Sequence, residues 1–208
     1  MNNFELGKSF RMAEQGTDEP ATIIFSKKAF TKIYALVKNY ESEVAWQGKV
    51  ERHKNIFIVK DIVVYPQTVT GATVDMNESE YALWLMKNAG NENYVGLNFQ
   101  GHSHVRMPVT PSGTDIKHQF DIVNNVVNER GFYVFIIVNK FFDDVYSAIY
   151  DAGNGIYYGS NCTQVFVAKE ECDNQKIKKY KDDVLQEAEA CVKKEEIFCG
   201  HELDYGFV

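Results

Sequence analysis

Two histidines one residue apart, His102 and His104, are followed after seven residues by Ser112 and after two more by Asp115. Side chains on a strand alternate between faces, so His102 and His104 project to one side with their imidazoles close together. Two neutral imidazoles and a carboxylate suit zinc, which favours nitrogen and oxygen ligands in a tetrahedron. A catalytic site takes three protein ligands and leaves the fourth position to water. Such a set leaves the ion a net positive charge, which acidifies its water. His102, His104 and Asp115 are therefore candidate ligands of a catalytic Zn2+. A plainer reading stands beside it. Ser112-Gly113-Thr114-Asp115 is also an ordinary helix start, with serine as N-cap and an acidic side chain three residues later. A carboxylate bound to metal is not expected to reach back and cap the helix, so for Asp115 the two readings compete.

These residues need a strand before them and a helix after them, and the hydrophobic pattern supplies both. Tyr94 to His104 reads as a strand with Val95, Leu97 and Phe99 on one face and Asn98, Gln100, His102 and His104 on the other. A helix follows from Gly113 to about Asn128. Upstream, Thr22 to Phe25 reads as a strand and Ser26 caps a helix whose Phe30, Ile33, Tyr34 and Val37 recur at helical spacing. Extended stretches at Glu43 to Val50 and Asn55 to Gln67 come next, then a second helix opened by Asn77. Downstream are strands at Phe132 to Val138, Val145 to Asp151 and Thr163 to Val167, and a charged helix from about Asp173 to Lys194. Strands interrupted by helices indicate an α/β fold, a mixed β-sheet packed by helices.

The pattern His102-x-His104, seven residues, Ser112, two residues, Asp115 resembles the signature of the JAMM (MPN+, JAB) zinc metalloproteases, in their prokaryotic or phage form, which cut peptide and isopeptide bonds to ubiquitin-like proteins. The resemblance covers roughly residues 22 to 151. It implies a cytidine-deaminase-like JAB/MPN fold, here with an extra C-terminal helix, and a further glutamate on the strand after the first helix. Glu43, in Glu43-Val44-Ala45-Trp46, fits that place, and Glu41 is the fallback. Two departures stand out. The family usually has proline after the second histidine, where this chain has Val105. The run Phe99-Gln100-Gly101 replaces a Gly-Trp-Tyr-like one. The implied domains are an N-terminal arm, 1–20, expected to be flexible, a JAB/MPN domain, 21–170, and a C-terminal helix and tail, 171–208.

The chemistry follows from the roles. Zinc lowers the pKa of bound water from about 15.7 towards about 7. Glu43 would take its proton and pass it to the leaving amine. Ser112 would donate a hydrogen bond to the developing oxyanion, as the resemblance implies. The segment Val105 to Pro111 would form one wall of the cleft and Pro66 to Asp75 the opposite wall or a lid. The alternatives are a non-catalytic MPN-type scaffold or partner-binding module, and a phage tail-assembly peptidase. A nucleoside deaminase would need His-x-Glu with a later Pro-Cys-x-x-Cys, and the chain has neither.

Bulk properties restrict the partners. The 208 residues carry 22 basic and 29 acidic side chains, a net charge of -7. That argues against a nucleic-acid surface. The resemblance implies a protein substrate, ubiquitin-like or another protein tail. No run of 18 apolar residues marks a membrane span, and the N-terminus lacks a signal-peptide core, so a cytoplasmic location is expected. Cys162, Cys172, Cys191 and Cys199, followed by His201, have no Cys-x-x-Cys knuckle and read as reduced thiols rather than a second zinc site. The C-terminal helix carries Ile177, Tyr180, Val184, Leu185, Ala188 and Cys191 on one side. That stripe would pack on the domain or on a second copy of the chain, as a homodimer.

Overall fold

The computed structural model describes residues 9–71, 73–128 and 131–195. The elements run β1 (Arg11–Met12), β2 (Ala21–Phe25), α1 (Lys27–Asn39), β3 (Ala45–His53) and β4 (Ile56–Val63), then β5 (Gln67–Val69), β6 (Val74–Asp75) and α2 (Glu78–Asn88). They continue with β7 (Phe99–Ser103), α3 (Gly113–Asn125), β8 (Phe132–Val138), β9 (Val145–Asp151) and β10 (Ile156–Tyr158), and end with β11 (Thr163–Val167), α4 (Asn174–Cys191) and β12 (Val192–Lys194). Nine strands form one mixed sheet in the order β1-β10-β9-β8-β7-β3-β4-β2-β11, and β12-β5-β6 form a small second sheet. The protein is a mixed α/β fold.

The sheet is covered on both faces, and strand alternation divides its core in two. From β8, Val134, Ile136 and Val138 join Ala29, Ile33, Leu36 and Val37 of α1 and Val184, Ala188 and Cys191 of α4. Tyr133 and Phe135, pointing the other way, pack with Val123 of α3. This is why β8 reads Phe-Tyr-Val-Phe-Ile-Ile-Val without polar alternation: a strand buried on both faces needs apolar side chains at every position. In α1 the Ser26 hydroxyl accepts from Ala29 N–H at 3.0 Å, as an N-cap does, and donates to the Lys60 carbonyl at 2.6 Å. The helix is thereby tied to β4 at its first turn. Of the apolar stripe of α4, Val184, Ala188 and Cys191 are buried within the chain, where α4 packs against α1, and Ile177, Tyr180 and Leu185 are half-buried.

Several boundaries differ from the sequence reading. The strand expected over Tyr94–His104 is confined to Phe99–Ser103, because a 3-10 turn at Glu92–Tyr94 and Gly96, at φ +71°, break the extension before it. The extended stretch to Gln67 divides at Val64–Pro66, since proline has no N–H to give a central ladder. The helix expected to about Asn128 ends at Asn125. Within the N-terminal arm, β1 pairs in parallel with β10, and Arg11 Nη1 and Nη2 bond Asp18 at 2.7 and 2.9 Å. Cys162, Cys172 and Cys191 are free thiols. Cys199, His201 and the rest of the tail lie outside the described residues, as do residues 1–8 of the arm. No helix among the described residues is long and apolar enough to cross a membrane.

Candidate metal centre

The pleat of β7 sorts its side chains. Phe99 enters the core under α1, so Gln100 and His102 point to the opposite face, where α3 lies. His104 is the first residue beyond the strand. Its N–H donates to the Val138 carbonyl at 2.8 Å, which prolongs the pairing with β8. The two imidazole centroids are 4.9 Å apart. On the other side β7 pairs antiparallel with β3, Ala45 opposite His102. Ser103 N–H donates to the Val44 carbonyl at 3.0 Å, and Val44 N–H to Ser103 Oγ at 3.1 Å. That extends the register by one pair and brings Glu43 opposite His104. Cross-strand partners share a face, so Glu43 is on the histidine side.

Asp115 comes from α3. Ser112 Oγ accepts from Asp115 N–H at 3.2 Å, and Asp115 Oδ2 accepts from Ser112 N–H at 2.6 Å, a complete capping box. The same carboxylate faces the histidines, Oδ1 at 3.2 Å from His102 Nε2 and Oδ2 at 3.6 Å from His104 Nε2. The competition expected between capping and metal binding is therefore not forced by the fold: one carboxylate does the first while aimed at the second. Capping uses one lone pair of Oδ2, and a carboxylate has about four. The hydroxyl of Ser112 only accepts here, and the residue is exposed, so its proton is left for another acceptor.

The ligand atoms of His102, His104 and Asp115 all lie within 4.8 Å of one another, and the three side chains could hold a metal ion. Two observations fit that use. His102 Nε2 is buried and makes no aligned hydrogen bond within the protein. His104 Nδ1 sits 2.7 Å from the Pro108 carbonyl, so it carries the proton and leaves the Nε2 lone pair facing Asp115. The segment Val105 to Pro111 thus sets a ring orientation in the site. It turns sharply after His104, with Met107 N–H donating to the His104 carbonyl at 2.7 Å and Lys140 N–H to the Val105 carbonyl at 2.6 Å. Val105 is left at φ +41°. Proline, locked near -65°, cannot occupy that position.

Glu43 and Glu41 are placed very differently. Glu43 is 5% exposed and interacts electrostatically with His102, His104 and Asp115. Glu41 is exposed and pairs with Lys140 at the surface. The Pro66–Asp75 segment supports Glu43 directly: the Thr70 carbonyl accepts its N–H at 3.3 Å. Two residues along, the Gln67 side chain bonds both the N–H and the carbonyl of Ala45 at 2.8 Å. Gln67 thus stands in for a neighbouring strand where β4 has ended.

The charges answer to this packing. Burial raises the Glu43 carboxyl above its ordinary range, against the pull of the two histidines. Burial also opposes ionisation of Asp115, but the facing imidazoles of His102 and His104 and the N–H of Ser112 outweigh it and hold its carboxyl well below the usual range. The Asp115 carboxylate beside it raises the pKa of His104 despite its burial. Behind the site, burial lowers His118.

The sequence reading missed Gln67, the Pro108 carbonyl, and a contact of 2.8 Å between Gln100 Nε2 and His118 Nε2. A glutamine directly after the apolar run Ile62-Val63-Val64-Tyr65-Pro66 was the signal for Gln67; Gln100, between Phe99 and Gly101, was marked only by sharing the face of His102. A backbone carbonyl leaves none.

No protein-family model and no curated protein matches the chain. Among solved structures, the solution structure of a protein from Desulfitobacterium hafniense is similar at 14% identity and a TM-score of 0.46, covering 74% of this chain and 97% of that one.

Proposed function

We propose that the chain is a zinc-dependent hydrolase of peptide or isopeptide bonds, a JAMM-type metallopeptidase in the cytidine-deaminase-like JAB/MPN fold. Its substrate would be the tail of a ubiquitin-like or other protein. The observation that carries this reading is the convergence of His102, His104 and Asp115, ligand atoms within 4.8 Å, with buried Glu43 on the same face. Zinc held by these three residues would supply Lewis acidity and an acidified water. Glu43 would take a proton and return it to the departing amine; its raised carboxyl is closer to neutrality, where a general base works best. Ser112 keeps a hydroxyl proton for the carbonyl oxygen as charge develops there, an interaction worth about 2.7–4 kcal/mol in comparable sites. Asp115 stays ionised, and the Pro108 carbonyl keeps His104 in the tautomer that offers Nε2.

The test pairs metal analysis with an isopeptide cleavage assay. Supporting results are one zinc per chain in protein purified without chelator, and turnover that falls on the order of 10²-fold or more in Glu43→Gln at full zinc occupancy. Glu41→Gln should leave turnover unchanged. A protein that takes up no zinc, or that holds zinc and cleaves neither peptide nor isopeptide bonds, overturns the reading.

A further inference from the structure

We infer that Gln100 and His118 are positioning residues of the metal centre, an amide–imidazole pair of a buried glutamine and a half-buried histidine that fixes α3, and with it Asp115, against β7. The inference rests on the metal-binding reading above and adds to it two residues not among the ligands or the proton carrier.

Gln100 precedes His102 by two residues and so shares its face of β7. His118 follows Asp115 by three residues and lies one turn further along the same side of α3. The contact between them, at 2.8 Å, therefore repeats the contact between His102 and Asp115 one step deeper. His118 is near enough to feel the charge of His102. The next residue, Gln119, accepts from the Tyr146 and Tyr150 hydroxyls at 3.4 and 3.5 Å, which ties α3 to β9 and not to β7. The buried residues of α3 are Gln119 and Val123, on its second and third turns, and Val123 packs into the core around Tyr133 and Phe135. Ahead of them, the capping box links α3 only to itself.

The chemistry of the pair suits a strut. Gln100 is 7% exposed, and its Oε1 has no partner while Nε2 faces His118. A buried acceptor left unpaired costs about 1–3 kcal/mol. Turning the amide over lets that carbonyl accept from His118 Nε2–H, and either orientation keeps the two elements joined. Ligands need to be held to within about 0.5 Å to bind well. A polar contact of fixed length one turn behind Asp115 sets its reach in a way that an adaptable apolar contact does not.

The experiment compares Gln100→Leu, His118→Leu, the double variant and the exchanged pair Gln100→His/His118→Gln. Zinc affinity is read by competition with a chromophoric chelator, and ligand geometry by the visible spectrum of the cobalt form. Both are read at a temperature where circular dichroism shows every variant folded. Each single change should weaken zinc binding by about 10–100-fold and alter the cobalt spectrum. The double variant should lose no more than the worse single one, because the two residues act as one contact. The exchanged pair should recover most of the affinity. Val123→Ala serves as the comparator: it should lower stability and leave affinity unchanged. Parent-like affinity in both single variants, or an equal loss in Val123→Ala, overturns the positioning role and leaves the metal site standing. A parent protein that binds no zinc overturns both.

Discussion

Trp46 occupies the space where a side chain on Gly101 would be: a Cβ there would lie 2.6 Å from Trp46 Nε1 and 2.7 Å from Cε2. Trp46 is fully buried and paired with Gly101 across β3 and β7, so the indole has nowhere to go. Gly101→Ala must then displace the backbone next to His102. We expect a loss of about 1–3 kcal/mol in the stability of the metal-free protein, the usual effect of overpacking, and weaker zinc binding. Denaturant unfolding and a zinc titration measure the two. Unchanged affinity would show that β7 absorbs the shift without moving His102.

Val105 is a β-branched residue in the left-handed region, which costs of the order of 1–3 kcal/mol. Glycine adopts that conformation freely, although it also gains freedom in the unfolded chain. Val105→Gly should therefore raise stability by about 1 kcal/mol. Val105→Pro should instead break the turn and weaken the hold of Pro108 on His104. Melting temperatures of the metal-free variants decide it. A stable, zinc-binding Val105→Pro would contradict the turn described here.

The pH dependence of the metal-free and zinc-loaded proteins should have opposite slopes. In the metal-free protein the pKa of His104 is raised, chiefly by Asp115. Its contribution to stability is thus complete below the ordinary value near 6.5 and is lost as pH rises through the raised one. Zinc needs the imidazole neutral, so acid competes with it by about tenfold per pH unit for each proton displaced. The stabilisation conferred by zinc should widen between about pH 6 and about pH 8. Calorimetry across that range tests this; a gap that does not change with pH would mean that His104 is not a ligand.

At the sheet edge, Arg11 holds the Asp18 carboxyl at about 2, below its ordinary 3.8, with help from Glu14 N–H. A depressed carboxyl stabilises the docked arm above its unfolded value and loses that contribution as pH falls through the folded one. The β1–β10 pairing should accordingly loosen between about pH 4 and about pH 2, and Asp18→Asn should loosen it at neutral pH. Hydrogen exchange at Arg11 and Ala13 N–H, both bonded to the Gly155–Tyr157 segment, reports it. Protection that survives Asp18→Asn would assign the docking to the strand pairing alone.

Local periodicity made much of the centre legible. The two-residue repeat of β7 puts His102 and His104 together, and the capping box at Ser112–Asp115 is written within four residues. Glu43 depended on more, since its side follows only once β3 is registered on β7. Gln100 with His118, Gly101 with Trp46 and Gln67 with Ala45 were not legible. Each joins residues brought together by pairing between distant segments, and none leaves a periodic trace. The strand before His102 was drawn too long because Val95 and Leu97 alternate correctly with Phe99, and the positive φ at Gly96 overrides that pattern.

Parallel pairing of β11 with β2, Thr163 against Ala21, joins two ends of the fold across most of the chain. Long-range pairing of this kind is slow, because the entropy of closing the loop is spent before the contact forms. During synthesis Glu43, His102, His104 and Asp115 all emerge before β11 exists, while β2 still presents an open edge. Folding in the cell therefore passes through a stage in which every residue of the candidate metal centre is out of the ribosome while the sheet is still one strand short and exposed to pairing with other chains.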